Sequence, residues 1–192
     1  MRFAAILGML IVSGSGAIWD ASASVVPGLL ERGIPSGSPP RPTRFVEGDR
    51  GDPIPYLVDL EFLPDGISTD QALAAVENAF AAWGEATGLR FELETTAEFG
   101  RPASDFSDPD GRIRIQCHDS YNAISGSEVL GIGGSGSISG GFAEGGFGGR
   151  VFEEEFHRTV RGFIIVNHRH PLLESPSTFE EVICHEIGHL LG

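Results

Sequence analysis

After residue 23 the sequence contains no apolar run long enough to cross a bilayer, which takes about twenty residues. It also lacks clustered basic charge. Its 13 basic residues, all of them arginine, face 27 aspartates and glutamates, a formal net charge of -14. That balance excludes a phosphate backbone as partner, because nucleic-acid binding needs grouped cations. No G-x-x-x-x-G-K-[ST] occurs among the 27 glycines, and no glycine fingerprint joins a strand to a helix. Nucleotide phosphates therefore have no cradle. Only two cysteines are present, Cys117 and Cys184, so the choice lies between one disulfide and two buried thiols acting as small hydrophobes. Asp105, Asp108 and Asp110 do not make an EF-hand, since Phe106 would fall at its first position and no glutamate closes the loop. They read as a solvated turn. The one run of like charge, Glu153-Glu154-Glu155, reads as a solvated edge.

What is present suits one domain with a real core: 192 residues, 41% hydrophobic and 9% aromatic. Residues 1–23 have the form of a secretory signal, with Arg2 before an apolar stretch from Phe3 to Val12 and Ala21-Ser22-Ala23 as an A-x-A cleavage site. Secretion, with no membrane span after signal removal, is the expectation. Residues 24–55 are broken by Pro35, Pro39, Pro40, Pro42, Pro53 and Pro55, as in a linker or short pro-segment. Regular alternation starts at Tyr56–Phe62, a strand, and Pro64-Asp65-Gly66 is a turn. Ser68 and Gln71 have capping-box spacing, and Leu73, Val76, Phe80 and Trp83 then recur at helical period until Gly88. Leu89–Glu94 and Arg112–Cys117 alternate as further strands, the second opened by an Asp110-Gly111 turn.

Between Gly126 and Gly149 there are eleven glycines in 24 residues. They read as a surface loop leading into an irregular edge strand near Gly149–Glu153, whose open edge could frame a peptide cleft. Arg161–Asn167 is the most apolar strand and belongs at the centre of a sheet. Ser177 and Glu180 again have capping-box spacing, and Val182, Ile183, Ile187, Leu190 and Leu191 give the last helix an apolar face.

That helix carries His185-Glu186-Ile187-Gly188-His189-Leu190-Leu191-Gly192, an H-E-x-x-H-x-x-G pattern. Histidines four apart on a helix project from one face and can share a cation. Zinc takes neutral imidazole nitrogen at about 2.0–2.1 Å, and a catalytic site has three protein ligands plus a water. Glu186 would act as general base on the metal-activated water that attacks a carbonyl. Cys184 points about 100° away from His185 around the helix, which leaves it outside the ligand set.

From Tyr56 to Gly192 the sequence resembles the first part of a matrixin-type catalytic domain, within the metzincin clan of zinc peptidases. The resemblance rests on the P-Y-L-V-D-L-E-F strand, on A-F-A-A-W followed by T-G-L-R-F-E-L, and on the terminal H-E-I-G-H-L-L-G. It implies an α+β, zincin-like N-terminal subdomain: a twisted mixed sheet of about five strands packed on two helices, with the active-site helix at the C-terminus. It further implies a secreted zinc metalloendopeptidase acting on protein or peptide substrates. His185 and His189 would hold catalytic Zn2+ and Glu186 would be the base. The third histidine would fall three residues beyond Gly192, making residues 56–192 an incomplete catalytic domain. Animal matrixins also carry a second, structural zinc and Ca2+, whose ligand spacings are not reproduced here. His168 and His170 alternate as on one strand face, with His118 and His157 nearby in sequence, and all four read as surface or core residues before structural-metal ligands. Neither cysteine lies in the N-terminal region, so a latency cysteine capping the metal has no candidate. Two alternatives stay open: a gluzincin-type peptidase with a later glutamate ligand, and a secreted non-catalytic binding module that retains the fold.

Overall fold

The computed structural model describes residues 43–138, 148–151 and 154–191. The expected signal, residues 1–23, and residues 24–42 of the expected linker lie outside the described residues. The linker's last part belongs to the domain. It forms a short strand β1 (Thr43–Arg44) and a 3-10 turn at Gly48–Arg50, and Phe45 is buried in the main core. Arg158 reaches back to Glu47 at 2.5 Å, which fixes this segment to the sheet.

Strand β2 (Ile54–Asp59) starts two residues before the expected Tyr56 and stops before Phe62. Its end has a local cause. The Asp59 carboxylate accepts the Glu61 N–H at 3.0 Å, bending the chain out of the strand. Helix α1 (Thr69–Thr87) opens on the expected capping box, in which the Ser68 side chain accepts from Gln71 N–H and Gln71 accepts from Ser68 N–H. It closes at Gly88, whose φ of 77° is the left-handed conformation that glycine reaches without strain. Its deepest residues are Ala72, Ala75, Val76, Ala79 and Phe80. The alanines let the helix lie close, and Phe80 sits between Tyr56 and Phe91 with ring centroids 4.4 and 4.7 Å away. Leu73 and Trp83 of the expected stripe pack at the margin of this core.

The remaining strands are β3 (Phe91–Thr96), β4 (Ile113–Gln116), β5 (Gly131–Ile138), β6 (Gly148–Val151) and β7 (Glu154–Val166). Strands β3, β2, β4 and β7 lie side by side in that order, all parallel. Arg158 is matched to both Arg44 and Ile138, and Phe163 to both Arg114 and Gly134. Hence β1 and β4 share one edge of β7, while β5 and β6 pair antiparallel along the other. The sheet is thus mostly parallel, with antiparallel pairing confined to one edge, where a mixed sheet of about five strands was expected. The expected central strand is β7, which extends well before its apolar run and there pairs with β1, β5 and β6.

Both helices pack on one face of the sheet. Tyr56, Val58, Ile113, Ile115, Ile164 and Val166 meet α1 and the second helix α2 (Pro176–Leu191) there. Phe163 and Ile165 point the other way, under Ala103, Phe99 and Ile124 from the connections between strands. A parallel strand covered on both faces reads as a continuous apolar run, as Phe163–Val166 does. No helix among the described residues is long and apolar enough to cross a membrane.

The helices are locked to each other through Trp83. Its Nε1–H donates to the Cys184 carbonyl at 2.8 Å, and its ring lies where a side chain at Gly188 would begin, 3.0 Å from an ideal Cβ. Trp83→Ala should therefore cost about 3 kcal/mol of stability, and Trp83→Phe, which keeps most of the packing, about 1 kcal/mol. Urea unfolding of the two variants checks the order.

Candidate functional site

Helix α2 begins at Pro176, whose missing N–H falls where a helix has no acceptor to offer, and Phe179 N–H bonds to Ser175 at 2.9 Å. Ser177 therefore sits inside the first turn, and the expected Ser177/Glu180 cap is not the start signal. Phe179, Ile183, Ile187 and Leu190 are buried at helical period against the sheet and α1. With that stripe inward, His185 and His189 fall on the exposed side. Their Nε2 atoms are 3.0 Å apart, and the rings stand at 82° with centroids 4.7 Å apart. Burial, with His189 adding to it, holds the His185 imidazole below its ordinary pKa. The neutral ring offers a lone pair.

Glu186 lies between the histidines in sequence yet is only 7% exposed. It packs against β5, the strand that sequence analysis read as part of a loop. The correction has a physical cause, since glycine carries no hydrophobic signal and is unfavourable in strands. On the face of β5 toward α2 stand Gly131 and Gly133. An ideal Cβ at Gly133 would be 2.6 Å from the Glu186 carbonyl oxygen and 3.1 Å from its carboxylate, and one at Gly131 would be 3.1 Å from Val182. Glycine here is a requirement of the helix, not of a flexible loop. The expected edge strand near Gly149–Glu153 is present as β6, shifted to Gly148–Val151.

Burial pushes the Glu186 carboxyl up to about 7, and a hydrogen bond from the Gly133 backbone opposes the rise. A carboxyl near neutrality takes and returns a proton with little cost either way, as a general base must. The pair of imidazole nitrogens suits a metal such as zinc: two ligands at about 2.1 Å and a tetrahedral angle lie about 3.4 Å apart, close to the separation seen. Among the described residues no third histidine, cysteine or carboxylate joins them.

The other sequence candidates are dispersed. His170 caps the 3-10 turn Pro171–Glu174 by accepting the Leu172 N–H, and His157 lies in β7 opposite Thr43 of β1, far along the strand from His168. His168 and His170 follow the end of β7 and share no strand face. His168 instead accepts the Asp119 N–H at 3.0 Å and packs 6.0 Å from His118, edge to face. Asp110 is engaged by Arg112 and Arg114. Cys117 and Cys184 are both free thiols, raised in pKa by burial, so of the two readings the unpaired one holds. The approach of Asp59 to His118 carries no signal in the sequence. Both side chains are fully buried, Nε2 to Oδ1 is 3.3 Å, and their neighbourhood follows only from β2 lying beside β4.

The Glu186 shift has a direction that can be tested in metal-free protein. A folded-state pKa raised above the ordinary 4.5 means stability that is complete below about pH 4.5 and lost as pH rises through about 7. Glu186→Gln should remove that loss, so its urea midpoint should gain on the parent's between pH 4.5 and 7.5. Parallel curves would show that Glu186 does not titrate there. Gly133→Ala should lower the melting temperature by several degrees through the clash with α2.

Compared with protein-family models, with curated proteins and with solved structures, the chain matches none.

Proposed function

We propose that this chain belongs to a secreted zinc-dependent endopeptidase of matrixin-like, metzincin type, with residues 56–192 forming the zincin-like N-terminal part of its catalytic domain. The observation that carries the reading is the arrangement on α2: two outward imidazole Nε2 atoms 3.0 Å apart, and between them in sequence a buried carboxyl poised near neutrality. His185 and His189 would hold the zinc, with a third ligand from outside the described residues. Bound there, zinc supplies a Lewis acid that makes water nucleophilic near neutral pH and polarises a carbonyl. The work of the chain itself lies in Glu186, whose carboxylate takes the proton from the attacking water and returns it to the departing amine. Its apolar setting and the Gly133 N–H hold the carboxyl in one orientation for both transfers. Proton transfer by such a group is worth about 10² to 10⁴ in rate.

Strand β5 supports a peptide as substrate. It pairs with β7 along one edge only among the described residues, and it borders the helix that carries the histidines. An extended peptide added to the free edge would bring its backbone past Glu186, a mode in which main-chain hydrogen bonds give affinity. The signal-like residues 1–23 are consistent with an extracellular setting.

In the full-length protein, Glu186→Gln should keep its zinc while lowering kcat/KM on a peptide substrate by about a thousandfold, and His185→Ala should lose the metal. Full activity in Glu186→Gln would remove the assigned role. Zinc binding without hydrolysis of any peptide by the unaltered protein would favour the non-catalytic module.

A further inference from the structure

We propose a second divalent-metal site, separate from α2, at the C-terminal ends of the parallel strands β2 and β4, with Asp59, Glu61 and His118 as ligands and zinc or a similar borderline transition metal as guest. In open sheets with parallel strands, the carboxyl ends are where connecting segments diverge and leave room for ligands. Here Asp59 is the last residue of β2, paired with Gln116 of β4, and His118 lies two residues further on. One donor atom from each of Asp59, Glu61 and His118 comes within 4.8 Å of the others.

The independent sign is His118. Its side chain is wholly buried, and Nε2 makes no well-aligned hydrogen bond. It faces Asp59 Oδ1 at 3.3 Å without the alignment a hydrogen bond needs. A buried polar atom without a well-aligned bond costs about 1–3 kcal/mol, and a metal ion between Nε2 and Oδ1 would satisfy both atoms. The 3.3 Å separation is that of two ligands of one tetrahedral zinc, which at about 2.0–2.1 Å from the metal stand about 3.3–3.4 Å apart. Asp59 is already oriented: Oδ1 accepts Glu61 N–H at 3.0 Å and Oδ2 accepts Phe99 N–H at 2.8 Å, leaving a lone pair on each oxygen. Supported carboxylates of this kind are the usual second-shell arrangement around a bound metal.

Glu61 is exposed, so it closes the group from the solvent side, where water can take a remaining coordination position. Phe62 lies edge-on to His118 at 5.3 Å and near His168 at 6.3 Å, and it walls the group from solvent on that side. The donor set selects the metal. One imidazole with two carboxylates suits zinc and its neighbours, whereas calcium and magnesium take oxygen alone. Metal on Nε2 requires the ring proton on Nδ1. The 3.3 Å contact that Nδ1 now accepts from Ser120 N–H, long for such a bond, is then given up. The consequence is a clamp tying the ends of two core strands to the segment that leads into α1.

The test removes α2 from consideration. Zinc is titrated calorimetrically into the full chain carrying His185→Gln and His189→Gln, and Co2+ is added separately to read its visible absorption. One equivalent of zinc should remain, and zinc should raise the melting temperature. Adding Glu61→Gln, an exposed change that leaves the fold alone, should weaken binding at least tenfold, and adding His118→Asn should abolish it together with the Co2+ band. No zinc binding in the doubly substituted chain would overturn the proposal, and so would binding unaltered by Glu61→Gln. Both outcomes are independent of whether α2 holds a catalytic metal.

Discussion

The distance between α2 and the edge strand β5 governs what the candidate site can be. That distance is set by what is missing from two side chains. With no Cβ at Gly131 and Gly133, the helix backbone settles almost against the strand, and the Glu186 carboxyl comes to rest in apolar surroundings beside a backbone N–H. Its raised pKa and its fixed orientation both follow from that one contact. On the far side the same helix is narrow again at Gly188, where the Trp83 ring fits. The two unnamed positions of H-E-x-x-H are therefore not free: Ile187 is buried in the core and Gly188 admits α1.

How much of this could be read from the chain depended on whether the cause was local. The capping box at Ser68 and Gln71, the left-handed Gly88 and the apolar run Phe163–Val166 act within a few residues, and they were legible. The H-E-x-x-H helix was legible for the same reason, since its apolar period and its histidines lie on one segment. Strand β5 was not, because its glycines answer to Val182 and Glu186, some fifty residues later, and within their own segment resemble a loop. Ser177 shows the converse error, where a capping pattern was present but Pro176 had already started the helix. The sheet's mostly parallel order, and the meeting of Asp59 with His118, come from which strands lie side by side, and no local pattern encodes that.

The two faces of the sheet divide the labour. One is given over to helices and to an apolar core of isoleucine, valine, alanine and phenylalanine. The other is covered by irregular connections whose backbone groups are satisfied by side chains: Gln116 accepts the Ala103 N–H, and Asp119 accepts from Ala123 and Ile124. Buried polar groups with partners, as on this second face, hold loops in one conformation without regular structure. The polar residues of β4 that sequence alternation marks as outward, Arg114 and Gln116, are buried for this reason.

The position of α2 after every strand of the described residues has a consequence for how the protein comes into being. As the chain leaves the ribosome, the strands and α1 appear first, but the half of the sheet that α2 covers stays bare until residues 176–191 emerge. Ile113, Ile164 and Val166 have their full set of neighbours only then. The segment bearing the histidines is thus also the one that closes the core, so folding and the alignment of Glu186 beside them are a single late event. A nascent or partly unfolded chain would have neither a closed core nor an aligned Glu186, which ties the setting of that carboxyl to completed folding.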